Sequence, residues 1–171
     1  METTLKIAIA GICLALSLSL STVTSAQTPP PAPPATLQDA ETAYVDYLRR
    51  EGYAPTIIKR DAGFDVQFKI EGVTHFIFAR GSPLYFRLMR SVATFDNKDE
   101  DMKRALEAAN SVNSRIAVAK AHVVKSAASS VAWVTYETYF SSSPKEIDRV
   151  FPTAVRVSAS AAKHFTERYA P

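Results

Sequence analysis

The chain of 171 residues has little of what most often carries chemistry: one cysteine, Cys13, and three histidines, His75, His122 and His164. Cys13 falls within an apolar leader, so a processed protein holds no disulfide, no thiolate nucleophile and no cysteine-based metal site. The histidines are not spaced with one another or with carboxylates as on a metal-binding helix, and no HExxH, glycine-rich phosphate loop or Gly-x-Ser-x-Gly turn occurs. Ser160-Ala161-Ala162-Lys163 matches Ser-x-x-Lys in spacing only. It falls late in a helical stretch, without the Ser-Asp-Asn and Lys-Thr-Gly companions that such enzymes need. These absences argue against a metal, a cofactor and a catalytic centre. An excess of one charge is missing too: 20 Lys and Arg face 17 Asp and Glu, a net +3 that is too slight to imply a nucleic-acid partner. What is present is 47% hydrophobic and 22% charged, a composition that excludes a wholly disordered chain and suits one packed core.

Ile7 to Leu20 form the one long apolar run, 14 residues preceded by Lys6 and followed by Thr24-Ser25-Ala26. A membrane span needs about 20 residues, so the pattern predicts a signal peptide at 1–26, cleaved after Ala26, and a periplasmic or secreted protein without a stable membrane anchor. The bulky Ile12 before Cys13, and the continuation of the run beyond it, speak against a lipid attachment there. Residues 27–36 form a proline-rich linker, with five of the ten prolines between Gln27 and Ala35. Such a stretch favours an extended rod of about 3.1 Å per residue, which serves as a spacer or as a docking motif for a proline-reading domain.

Residues 37–171 read as one domain. Leu37, Ala40, Tyr44, Tyr47 and Leu48 recur at helical spacing between an N-cap at Thr36 and a stop at Gly52. The period then changes to two. Thr56 to Arg60, Phe64 to Ile70, Val73 to Ala79 and Leu84 to Phe95 predict four strands in meander order, with a three-residue turn at Asp61-Ala62-Gly63 and a two-residue turn at Glu71-Gly72. Asp99, Glu100 and Asp101 open a second helix that carries Met102, Ala105, Leu106, Ala109 and Val112 to about Asn113. Ile116 to Lys125 and Ser130 to Phe140 predict a further hairpin, in which Ala117, Ala119 and Ala121 share a face that a helix can approach closely. Ser143, Pro144 and Glu146 are a capping box with proline at the first helical position, opening a last helix to about Tyr169, with a kink or break expected at Pro152. The order α-ββββ-α-ββ-α defines an α+β domain: an antiparallel β-sheet meander with helices packed mainly on one face.

The Glu71-Gly72 turn sets Ile70 opposite Val73, Phe68 opposite His75 and Val66 opposite Ile77 on one face, and puts Phe76 and Phe78 on the other beside Gln67 and Asp65. Two phenylalanines on a mostly polar face are either covered by a loop or the region of Tyr85 and Trp133, or form a patch used for association. Gln67, Phe76, Phe78, Tyr85 and Trp133 are therefore the candidate interaction surface. Lys59, Arg60, Lys69, Arg80, Arg87 and Arg90 bias the sheet region towards positive charge, which marks a solvated face or one that steers an acidic partner. His75 and His122 are expected at half-buried sheet positions. Asn110 and Asn113 fall at the end of the second helix, where an amide can cap free carbonyls and donate to the entering strand.

With this order of elements, the stretch Ala105-Leu106-Glu107-Ala108-Ala109-Asn110-Ser111-Val112-Asn113-Ser114-Arg115, followed by Ala119-Lys120-Ala121, resembles the YbjN-like family of bacterial sensory-transduction regulators. Asn110, Asn113 and Arg115 are its structural signature here, and Gly52, Gly63 and Gly72 fit as well. The resemblance implies a fold like that of class I chaperones of type III secretion, which bind partner polypeptide and often dimerise. The chain departs from the family in its last hairpin, where Ala127-Ala128-Ser129 and Ser141-Ser142-Ser143 replace acidic and glycine-rich residues. The expectation is an exported, non-catalytic domain that binds a polypeptide or, as a homodimer, itself, through sheet surface and edge. Its rivals are a small-ligand sensor, which needs an apolar pocket, and a small hydrolase, which needs a cleft with a perturbed His or carboxylate pair.

Overall fold

Helix α1 (Leu37–Arg50) opens as its sequence predicts: the Thr36 hydroxyl accepts from the Asp39 amide, and the Asp39 carboxylate accepts from the Thr36 amide. The computed structural model describes residues 35–170, so the leader, its cleavage site and most of the proline-rich linker lie outside the described residues. After α1 come β1 (Thr56–Arg60), β2 (Gly63–Ile70), β3 (Val73–Arg80), β4 (Tyr85–Phe95), α2 (Asp99–Arg115), β5 (Ala119–Lys125), β6 (Ser130–Tyr139), a 3-10 turn (Pro144–Glu146) and α3 (Ile147–Tyr169). The strands form one antiparallel sheet in the order β1-β2-β3-β4-β6-β5. The fold is α+β, with the element order that the periodicity predicts.

Alternation places Val66, Ile77, Leu88 and Val134 on one face, where all are fully buried beneath the helices. Their core has two parts. One gathers Tyr44, Leu48, Phe64, Phe86, Phe140 and Phe151 around α1, and the other packs α2 and α3 onto Ala119, Ala121, Ala132 and Val134. Small side chains on β5 and α2 let the helices approach closely, as the alanine pattern suggests. The Tyr44 hydroxyl is buried in the first part without a hydrogen-bond partner among the described residues, and burial raises its pKa.

Local differences from the sequence reading have physical reasons. Helix α2 continues to Arg115, so Ile116 is its C-cap and Ala117 is exposed before the strand; only Ala119 and Ala121 face the helix. Arg60 pairs with Gly63, so the first hairpin turns on Asp61-Ala62 alone. Gly63 is instead the first residue of β2, at φ +141°, where a Cβ would lie 2.1 Å from the Ala79 carbonyl oxygen. The Ser143 box caps a 3-10 turn before the α-helix proper begins. That helix runs through Pro152 without a break. The lost hydrogen bond belongs to the exposed side of the helix, and burial of Ile147, Phe151 and Ala154 holds the other side in place.

Candidate partner-binding face

No helix among the described residues covers the other face of the sheet. The registers Gln67↔Phe76, Phe76↔Met89, Met89↔Thr135 and Ser91↔Trp133 assemble it from four strands. Phe76 is its centre. The Trp133 ring meets it edge-on with centroids 5.8 Å apart, and Phe78 lies 5.9 Å away along the same strand. Gln67 is the ladder neighbour of Phe76. Tyr85 stands at the end of the face, 5.1 Å from the ring of Tyr139, which is 70% exposed. Gln67, Phe76, Phe78, Tyr85 and Trp133 thus share one surface and are all half-buried. Trp133 packs on Phe76 without burying it.

Charge surrounds the aromatic strip. By strand alternation Arg60, Lys69, Arg80, Arg87 and Lys120 share this face with only two acids, Asp65 and Glu137. Both acids are already paired. Asp65 is only 1% exposed, with Arg60 Nε donating to Oδ2 at 2.7 Å and Arg80 Nη2 to Oδ1 at 2.9 Å. Arg87 holds Glu137 at 2.7 Å and also donates to the Tyr85 hydroxyl. Arg80 lies over the Phe78 ring and Arg87 over the Tyr85 ring. Such stacking lays the guanidinium groups against the rings while their donors hold Asp65 and Glu137. The basic cluster read from the sequence divides here. Lys59 points to the helix side and pairs with Glu41, and Arg90 lies on the covered face, because each is one position out of phase with the others.

The histidines separate. His75 is fully buried on the covered face instead of half-buried, stacked on Phe68 with its Nδ1 donating to the Val73 carbonyl at 2.9 Å. Burial and then Arg90 lower its pKa, against the Val73 hydrogen bond, so it is neutral. His122 is half-buried on the open face opposite Trp133, and its pKa is lowered by burial and by Arg87. His164 on α3 meets Ser111 on α2, with Oγ and Nε2 2.9 Å apart. No carboxylate hydrogen-bonds to the other nitrogen of His164 among the described residues, and the pair bridges two packed helices. No group of three His, Cys, Asp or Glu residues that could hold a metal occurs among the described residues. No described helix is long and apolar enough to cross a membrane.

Asn110 and Asn113 take different parts. Asn113 Oδ1 accepts from the Ala121 amide at 2.7 Å, and its Nδ2 donates to the Ala121 carbonyl at 3.0 Å. Asn113 therefore does not cap the carbonyls of α2; it occupies outward-facing backbone groups of the edge strand β5. Asn110 and Arg115 are exposed and make no side-chain hydrogen bond or ion pair among the described residues. Sequence reasoning missed Met89 and the buried Asp65. Met89 has the parity of Tyr85 and Arg87 and was open to discovery by that signal, whereas the burial of Asp65 depends on two arginines brought over it by two turns.

No family model matches the chain, and no curated protein matches it. Among solved structures, the chain is similar to an uncharacterized protein from Methanothermobacter thermautotrophicus at 13% identity and a TM-score of 0.51. That similarity covers 76% of this chain and 99% of the other. At this identity the likeness concerns the fold alone.

Proposed function

We propose that the protein is an exported, non-catalytic interaction domain whose bare sheet face takes an acidic polypeptide with apolar anchors. The observation that carries the reading is the aromatic strip of Phe76, Phe78 and Trp133 set among arginines and lysines whose only acids on that face are already paired. The strip offers apolar area for aromatic or aliphatic side chains, and the surplus positive charge selects the sign of the partner and speeds the encounter. The signal peptide expected at 1–26 supports a place of work outside the cytoplasm. In family terms this is the YbjN-like, chaperone-like role that the Asn110 to Arg115 stretch suggests.

Selection from a random-peptide library on the full-length chain should return sequences rich in Asp and Glu around aromatic or aliphatic residues. Their association rate should fall as salt rises. The double substitution Phe76→Ser and Phe78→Ser should abolish binding and leave the circular dichroism spectrum unchanged. A basic or uncharged consensus, or binding indifferent to both phenylalanines, would overturn the reading. Loss of the folded signal would make the two residues core, and a dimer dissolved by the same substitutions would make the occupant a second copy.

A further inference from the structure

Arg90 is a cation on the wrong side of the sheet. Its ladder partners, His75 and Val134, both belong to the covered face. Its Nε is buried without a hydrogen-bond partner, and no acid pairs with it among the described residues. Glu71 attracts it from the nearby turn without reaching ion-pair distance. His75 does not relieve it: with Nδ1 donating to Val73, Nε2 of the neutral ring is an acceptor, yet no hydrogen bond joins it to Arg90 and it too is unpartnered among the described residues. A buried donor left unsatisfied costs about 1–3 kcal/mol, so a charged one on a helix-packed face calls for an acceptor.

The backbone provides room for one. The ladder between β4 and β6 shifts between Ser91 and Ala93, leaving Val92 as an extra residue. Bulges of this kind bend a strand and re-aim side chains beside functional sites. Between the bulge and the second half of α3 runs an open groove of about 580 Å³, with Arg90, Val73 and Val92 on the sheet side and Ala162, Lys163 and Thr166 on the helix side. Two cations, Arg90 and Lys163, one acid, Glu167, and the aliphatic Val73, Val92, Ala159 and Ala162 line it together, a mixture that suits an amphiphilic ligand with a single negative head. Glu167 lies at the same groove, 3.8 Å from Lys163, and with Glu71 it disfavours a doubly charged ion.

We propose that this groove binds a small organic carboxylate, its head on Arg90 and Lys163 and its apolar body against Val73, Val92 and Ala162. The guanidinium suits the geometry of a planar carboxylate, and the hydroxyl of Thr166 offers a further donor. The site is separate from the aromatic face, from which the sheet itself divides it. A molecule seated there bridges α3 and β4, and so couples the helical layer to the strand that carries Tyr85, Arg87 and Met89.

Benzoate is the probe, titrated into the isotopically labelled full-length chain and followed by amide chemical shifts. Saturable shifts at Val73, Ser91, Val92 and Ala162 are expected, with benzamide at least tenfold weaker and inorganic phosphate without effect at these positions. Arg90→Gln should weaken benzoate at least tenfold. Ala159→Trp, made at an exposed position beside the groove, should abolish binding by filling it, and it keeps the proposal testable if Arg90→Gln does not fold. Phe76→Ser with Phe78→Ser should leave benzoate binding unchanged, so failure here is separate from failure of the partner-binding reading. Absence of saturable shifts, equal affinity for benzamide, competition by phosphate, or shifts confined to the open face would each overturn it.

Discussion

On one side of β2, β3 and β4 stand Val66, Ile77 and Leu88, all fully buried under helices; one residue further along the same strands, and on the opposite side, stand Gln67, Phe76 and Met89, all partly exposed. Aromatic residues occur on both sides, so hydrophobicity does not distinguish them. The covered face closes its rings against one another, as Tyr44 does with Phe64, Phe86 and Phe140. The open face lays rings against guanidinium groups instead. The first arrangement excludes water and resists change, while the second keeps apolar area near solvent and ringed by charge, as a reversible contact surface requires.

Paired truncations offer the sharpest way to break the contrast. Leu88→Ala should cost about 3 kcal/mol of unfolding free energy in denaturant titrations, whereas Phe78→Ser, on the neighbouring strand but the open face, should cost about 1 kcal/mol. Equal losses would mean that the open face is core after all. Acidity should probe the covered side selectively. Burial holds the pKa of His75 below the ordinary 6.5, so above that pH the ring is neutral in both folded and unfolded states. Below it the unfolded chain takes up a proton more readily than the folded chain, so stability falls as pH drops through 6.5. Thermal melts of His75→Phe should show a flatter acid limb, with His122 supplying the slope that remains, since its pKa is lowered in the same direction. The smallest effect is a gain. Tyr44→Phe removes a buried hydroxyl without a partner and should stabilise the fold by about 0.5 kcal/mol in the same titrations.

Much of this contrast can be read along the chain, because a strand's faces follow from counting by two. One turn at Glu71-Gly72, with φ of 50° and 80°, sets the register of both phenylalanines and needs no tertiary information. Boundaries were less legible where two local rules compete. The strand-like stretch from Ile116 begins instead with the C-cap of α2 and a turn, and the strand proper starts only at Ala119. Pro152 was overridden by the apolar stripe on the opposite side of its helix. Features joining distant segments left no sequence signal. The pairing of β4 with β6, the meeting of Ser111 with His164, and the isolation of Arg90 under α3 all depend on where α2 and α3 settle, which no local pattern encodes.

The amide of Asn113 shapes how the sheet can grow. By holding the amide and carbonyl of Ala121, a side chain from α2 poses as the seventh strand of the sheet, one that has no far side to offer. At the opposite margin β1 pairs with β2 alone among the described residues. Growth by strand addition is therefore hindered at Ala121 on the β5 margin and unobstructed by such a contact along β1. Two molecules that join along β1 leave a second margin at which any added strand must first displace Asn113 from Ala121, and a fibre needs two sticky ends per unit.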